Sequence, residues 1–224
     1  MLKTLKKYRL FITTMVVLSA IIIISFYNIL SQKKVLPIYQ PAQVNFELVD
    51  STIQHKKKYH KIADFKLVNQ NGDTITEAFY KDKIYVADFF FTTCQTICPI
   101  MTDHMYEIQK QTISDPEVLL LSHTVTPEID SVAQLKRYAK NKLVNSSKWN
   151  LVTGDKKQIY DLARTSYLAV KTSGDGGPYD MIHTENFMLI DKKKQIRGFY
   201  DGTDPKAIEK LLDDIKVLKA SYNN

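Results

Sequence analysis

The chain has 224 residues, 44% of them hydrophobic and 25% charged, which excludes a disordered protein and supplies enough apolar material for one well-buried domain. Its formal charge of +7 is gathered at the N-terminus: residues 1–34 hold Lys3, Lys6, Lys7, Arg9, Lys33 and Lys34 and no acid, so the remainder sets 25 cations against 24 acids. With the basic residues so placed, and no basic stretch with interleaved aromatics elsewhere, nucleic acid is excluded as a partner.

From Leu10 to Leu30 the run LFITTMVVLSAIIIISFYNIL carries no charge. That meets the roughly 20 apolar residues a helix needs to cross a bilayer. The four cations before it predict a cytoplasmic tail at 1–9, a single transmembrane anchor at 10–30 held by membrane lipid, and everything after it on the opposite side. A cleaved signal peptide is the competing reading. Against it stand the length of the run, the lack of a small-x-small site in SFYNILSQ, and the absence of a following cysteine to take a lipid. An oxidising compartment on that side lets a cysteine pair persist as a disulfide.

Residues 31–60 read as a tether, broken by Pro37 and Pro41 and ending in the basic run HKKKYHK, which holds His55 and His60. A domain is expected over 61–222. It opens with KIADFKLVNQNGDTIT, where Asn71-Gly72 supplies the turn of a β-hairpin. KIYVADFFF (83–91) is an unbroken apolar run of the kind a central strand shows when both its faces are covered. Pro99 then opens a helix whose Met101, Met105 and Ile108 share one face, so that these methionines read as core filler. EVLLLSHTV (117–125) predicts a strand, SVAQLKRYAKNKLV (131–144) an amphipathic helix, WNLVT (149–153) a strand and QIYDLARTSYL (158–168) a helix. After the glycine-rich TSGDGGPYD come two strand-like runs, HTENFMLID and QIRGFY, with Met181 and Met188 beside or within the first as packing residues. Asp204-Pro205 caps and opens a last helix. Strands alternating with helices and closing in a hairpin plus helix fit an α/β, three-layer, thioredoxin-like fold.

The only two cysteines, Cys94 and Cys98, lie in FTTCQTICPI between the first apolar strand and the helix after it. Open α/β sheets place their sites at this carboxyl edge, and a helix N-terminus lowers a thiol pKa. Four residues apart in a helix, the Cα atoms are about 6 Å from each other, so a disulfide, a redox pair and a shared metal ion all remain open. A purely structural disulfide would close a very short loop and add little stability. Zinc would need two further ligands with no paired motif to give them, whereas two thiolates and an imidazole suit copper. His104 lies off the face of Cys98, His123 near the carboxyl end of a strand is either within reach of the site or, the favoured reading, an ordinary partly buried imidazole, and His183 follows the glycine-rich loop. Asp88, within the apolar strand, is either a buried acid of raised pKa that serves the dithiol or a carboxylate paired at a strand edge.

Taken together, FFFTTCQTICPIM, LLLSHTVTPEID, LVTGDKKQIYDLA and IHTENFMLID resemble the Sco/SenC family of membrane-anchored, thioredoxin-fold copper proteins, over essentially the whole domain. The resemblance implies that Cys94, Cys98 and His183 bind copper as Cu(I), with Cu(II) left open, and that Cys94 and Cys98 also form a redox pair, disulfide-bonded when oxidised. It implies a metallochaperone, rather than an enzyme, that assists assembly of the dinuclear copper centre of cytochrome c oxidase. The partner is then a copper-acceptor protein, an oxidase subunit, and the setting a single-pass inner (cell) membrane protein with its domain on the periplasmic side. The alternative is a thiol-disulfide oxidoreductase reducing the cysteines of a partner cuproprotein; a plain interaction module is the third reading. Two departures from the family pattern, Ile182 before the histidine and Thr126-Pro127 after the second strand, remove expected carboxylates, for which Asp180 is the nearby substitute.

Overall fold

The computed structural model describes residues 8–30, 35–44, 55, 58–170, 181–182 and 184–222. Two compact units, Met1–Val35 and Leu36–Asn224, are described separately.

The first unit contains helix α1 (Arg9–Leu30). Its stretch Arg9–Tyr27 has a mean hydropathy of 2.4 and is long and apolar enough to cross a membrane. The hydroxyls of Thr13 and Thr14 donate back to carbonyls of the preceding turn, at 2.8 Å to Leu10 and Phe11, so neither polar group needs a partner outside the helix.

The second unit is a seven-stranded sheet in the order β2-β1-β5-β4-β3-β6-β7. The hairpin β1 (Lys66–Asn69) and β2 (Thr74–Thr76) turns where Gly72 takes φ +88° and the Asn69 side chain accepts from the amides of Asn71 and Asp73 at 2.9 Å. Strands β3 (Ile84–Phe90), β4 (Val118–Thr124) and β5 (Trp149–Thr153) run parallel at the centre and are buried along their whole length. β6 (Asn186–Ile190) pairs antiparallel with β3, and β7 (Ile196–Asp201) antiparallel with β6.

Strand alternation sends Ile84, Val86 and Phe90 to one face and Tyr85, Ala87 and Phe89 to the other. Helices α2 (Ile97–Thr112), α3 (Val132–Asn141) and α5 (Pro205–Ala220) pack on the first face. The second is covered by α4 (Lys156–Asp161), the π-turn Leu162–Ser166 that continues it, and Ile62 and Phe65. This mixed α/β sheet with helices on both faces is the thioredoxin-like arrangement the element order predicts.

Three local outcomes depart from the sequence reading. Helix α2 starts at Ile97, ahead of Pro99, because the amides of the first turn have no intrahelical partner and a proline there costs no bond. The helix expected over 158–168 widens at Leu162, where the amide of Tyr167 reaches back five residues to the Leu162 carbonyl at 2.7 Å. The widened turn presents Ser166 to the segment before β1: its carbonyl meets Nε2 of His60 at 2.7 Å and its hydroxyl accepts from the Ala63 amide. Finally, part of the stretch read as a tether packs on the domain. Leu36, Gln40 and His60 are buried, the Tyr39 amide donates to the Ile196 carbonyl on the β7 edge, and the Arg197 guanidinium donates to the Leu36 and Pro37 carbonyls while pairing with Asp191 at 2.9 Å.

Candidate metal centre

The site is built where β3 ends and α2 begins, at the carboxyl edge of the parallel strands. Helix α2 has no side-chain cap at Thr96. The sulfur of Cys94 takes over part of that role, accepting from the Cys98 amide at 3.4 Å, one of the amides a helix start leaves unpaired. The Thr96 hydroxyl also lies 3.6 Å from the Cys94 sulfur. No disulfide joins the two cysteines in this structure.

Their environments push them apart. Burial works to raise the Cys94 thiol, but hydrogen bonds from the Cys98 thiol and amide and from Thr96 outweigh it and bring the group down from 9.0 to about 7. Burial drives the Cys98 thiol the other way, to about 12, helped by its hydrogen bond to Cys94 and by the charge of Asp88. Cys94 is half-buried and Cys98 is 3% exposed. One sulfur is therefore accessible and close to ionisation at neutral pH, and its neighbour is held back as a thiol.

The loop between β3 and Cys94 is held by a group that sequence reasoning missed. Asp130, fully buried, accepts from the Thr92 amide and the Thr126 hydroxyl, each at 3.1 Å, and from the hydroxyls of Thr92 and Thr124. Gln134 of α3 donates to the Thr92 hydroxyl at 2.9 Å. Position 92 is thus pinned two residues before Cys94. A signal existed in TVTPEID, where an acid four residues after a threonine can close a local turn, but its long-range bonds to Thr92 could only come from the fold.

Asp88 is the buried acid, not the strand-edge ion pair: it is 2% exposed and its Oδ1 has no hydrogen-bond partner among the described residues. Burial pushes its carboxyl up to about 7. Alternation puts it on the sheet face shared with Val86, Phe90 and Cys98. His123 is on the opposite face, fully buried, stacked on Phe89 at 4.8 Å and edge-on to Tyr167, with Nδ1 3.3 Å from the Asp88 carbonyl. It is a core imidazole that the sheet separates from the sulfurs. His104 Nδ1 bonds to the Gly202 carbonyl, and His55 is exposed. Met101, Met105 and Met188 are core residues, and Met181 is exposed.

His183 and Asp180 lie outside the described residues. Among the described residues no three of His, Cys, Asp and Glu converge as a metal site. Ile182 and Thr184 are buried, and the Thr184 hydroxyl donates to the Ala169 carbonyl at 3.0 Å.

A family model described as SCO1/SenC matches residues 53–219. This chain belongs to the SCO1/SenC family. Among solved members, a SCO1/SenC family lipoprotein from Bacillus anthracis is 30% identical with a TM-score of 0.63, covering 71% of this chain and 95% of its own. BsSco, described as a cytochrome c oxidase assembly protein with a disulfide switch, is 29% identical with a TM-score of 0.60, covering 71% and 93%. Bradyrhizobium japonicum ScoI, solved with copper bound, is 25% identical with a TM-score of 0.56, covering 71% and 99%. Homologous Sco structures thus hold copper, and this SCO1/SenC chain places a cysteine pair of unequal acidity at the start of α2.

Proposed function

We propose that this SCO1/SenC protein holds Cu(I) between Cys94, Cys98 and His183 and passes it to a cysteine-bearing subunit of cytochrome c oxidase, assisting assembly of its dinuclear copper centre. The observation that carries this reading is the Cys94 sulfur accepting from the Cys98 amide at 3.4 Å. It brings both sulfurs to one helix start, at the edge of the sheet where the chain is open to a partner. Thiolates are the soft ligands that select Cu(I) over harder ions, and an imidazole completes a three-ligand set. Loading requires both thiols reduced and the Cys98 proton displaced, so uptake releases protons. Transfer proceeds by ligand exchange as thiolates of the acceptor replace those of the donor one at a time.

The anchor belongs to the same proposal. The B. anthracis relative is described as a lipoprotein; in this chain the reading assigns attachment to the bilayer to α1, which is long and apolar enough to cross a membrane. The cations of the tail at 1–9 set the domain on the non-cytoplasmic side of a single-pass inner (cell) membrane protein.

The unequal thiols favour a second reading, reduction of a partner's disulfide. The Cys94 thiolate would attack one partner sulfur and expel the other as a thiolate. Cys98, losing its proton, would then attack Cys94, leaving a Cys94–Cys98 disulfide and a partner dithiol.

A competition titration of the reduced full-length chain in detergent against a Cu(I) chelator tests the first reading. One copper per chain is expected, lost in Cys94→Ser and Cys98→Ser and much weakened in His183→Ala. Undiminished binding in His183→Ala refutes the three-ligand site, and disulfide reduction kept by that variant assigns the chain to the second reading.

A further inference from the structure

The edge of the sheet opposite the cysteines carries an arrangement of charge that the copper chemistry does not use. Lys83 and Lys148 stand immediately before β3 and β5, where those parallel strands begin. Both reach the chain between α2 and β4. The Lys83 ammonium donates to the Pro116 carbonyl at 2.9 Å, and the Lys148 ammonium donates to the Asp115 carbonyl. Consecutive carbonyls thus draw two cations to one turn, each using one of its three donors on a neutral oxygen.

The two acids of that turn are already matched. Asp115 pairs with Lys219 of α5, and Glu117 pairs with Lys192 at 2.5 Å. Four lysines against two acids leave a charge of +2, and it resides on Lys83 and Lys148, neither of which has a carboxylate at ion-pair distance among the described residues. Lys148 is also 4% exposed. Burial lowers its pKa, the Asp115 carboxylate opposes that shift, and the charges of Lys219 and Lys83 add to it. A buried cation without an anion beside it is costly, and a bound anion relieves the cost.

Tying down the turn accounts for the two hydrogen bonds but not for the cleft they border. Both lysines line an open cleft of about 500 Å³, a size common to small-molecule sites. Phe79, Ile113 and Leu119 give it apolar walls, the first two about half exposed, and Ser114 adds a hydroxyl that makes no hydrogen bond among the described residues.

We propose that this cleft binds a phosphate monoester carried on an apolar body, the phosphate meeting Lys83 and Lys148 and the body lying against Phe79, Ile113 and Leu119. Such a phosphate carries a charge of about −1.5 to −2 at neutral pH and several acceptor oxygens, so a single group answers both ammoniums. A carboxylate answers only one. Two sources supply this chemistry, a soluble organic phosphate and the headgroup of phosphatidic acid. The site is independent of the cysteine pair, which lies at the other edge of the sheet.

Calorimetric titration of the full-length chain in non-ionic detergent, with phenyl phosphate as the probe, tests the proposal. Expected are one site per chain, affinity weaker by about tenfold or more in Lys83→Met and in Lys148→Met, and affinity kept in Lys83→Arg. Inorganic phosphate, which has no body to bury, should bind about tenfold or more weakly than phenyl phosphate. Should Lys148→Met fail to fold, the two Lys83 variants decide the matter. A wild-type chain that binds no phenyl phosphate overturns the proposal. So does binding undiminished by the methionine replacements, which would leave the lysines as supports of the turn alone, and so does equal affinity for inorganic phosphate, since the apolar walls would then hold nothing. Dihexanoyl phosphatidic acid added to the same micelles separates the sources: displacement of bound phenyl phosphate assigns the cleft to a lipid headgroup, and failure to displace it assigns the cleft to a soluble phosphate monoester.

Discussion

Two fully buried titratable groups sit back to back in the central strands, and their effects on stability oppose each other. Burial raises the Asp88 carboxyl from 3.8 to about 7. Between those values the folded chain keeps a proton that the unfolded chain has lost, so stability falls as pH rises through the window. At 1.36 kcal/mol per pH unit the fall amounts to about 4 kcal/mol. Burial, against a weaker hydrogen bond to the Asp88 carbonyl, lowers His123 from 6.5 to about 4. There the unfolded chain binds the extra proton, so stability rises with pH by about 3 kcal/mol. In the wild type the two slopes nearly cancel between pH 4 and 6.5.

Asp88→Asn removes one of them. The variant should gain about 3 kcal/mol of stability from pH 4 to 6.5 and then level off, and at pH 8 it should exceed the wild type by up to about 4 kcal/mol. Urea unfolding of the full chain in detergent, followed by fluorescence, measures this directly. Trp149 is the only tryptophan, is buried, and donates to the hydroxyl of Ser122, the residue in register with Asp88. Stability curves for variant and wild type that run parallel across pH 4 to 8 would refute the reasoning, since they would mean that Asp88 titrates alike in both states.

Alkylation of the reduced chain should show Cys94 reacting with a midpoint near pH 7 and Cys98 silent until strongly alkaline pH; mass spectrometry of the labelled peptides separates the two. Asp130→Ala strands the Thr92 amide and three hydroxyls and should cost about 2–4 kcal/mol in urea unfolding, while broadening the pH profile of Cys94 alkylation as the loop loosens. Arg197→Met leaves Asp191 buried without its cation and should destabilise by about 3–5 kcal/mol. The same change frees the Leu36 and Pro37 carbonyls, so limited proteolysis within 36–44 should accelerate.

The lesson of His104 and His123 is that spacing finds candidates and only packing sorts them. His123 was within plausible reach of the sulfurs in sequence, while His104 shared the cysteine helix but lay off the face of Cys98. One residue of register in β4 puts Ser122 on the Asp88 face and His123 on the other, and a strand's side chains cannot be assigned to a layer until its neighbours are known. Asp88 was ambiguous for the same reason, because a carboxylate in an apolar run is an ion pair or a buried acid according to what lies across from it.

The amino-acid sequence by itself determined the apolar helix, the order of strands and helices, and a cysteine pair at the junction of the first central strand with its helix. Each of these follows from local periodicity, turn residues and charge, which act over a few neighbouring positions. Only the tertiary structure decided that the two thiols differ so widely in acidity, that Asp130 reaches back to hold Thr92, and that part of the expected tether lies along β7. Those outcomes depend on desolvation and on hydrogen bonds between residues far apart in the chain, and neither exists until the sheet has closed over its two layers.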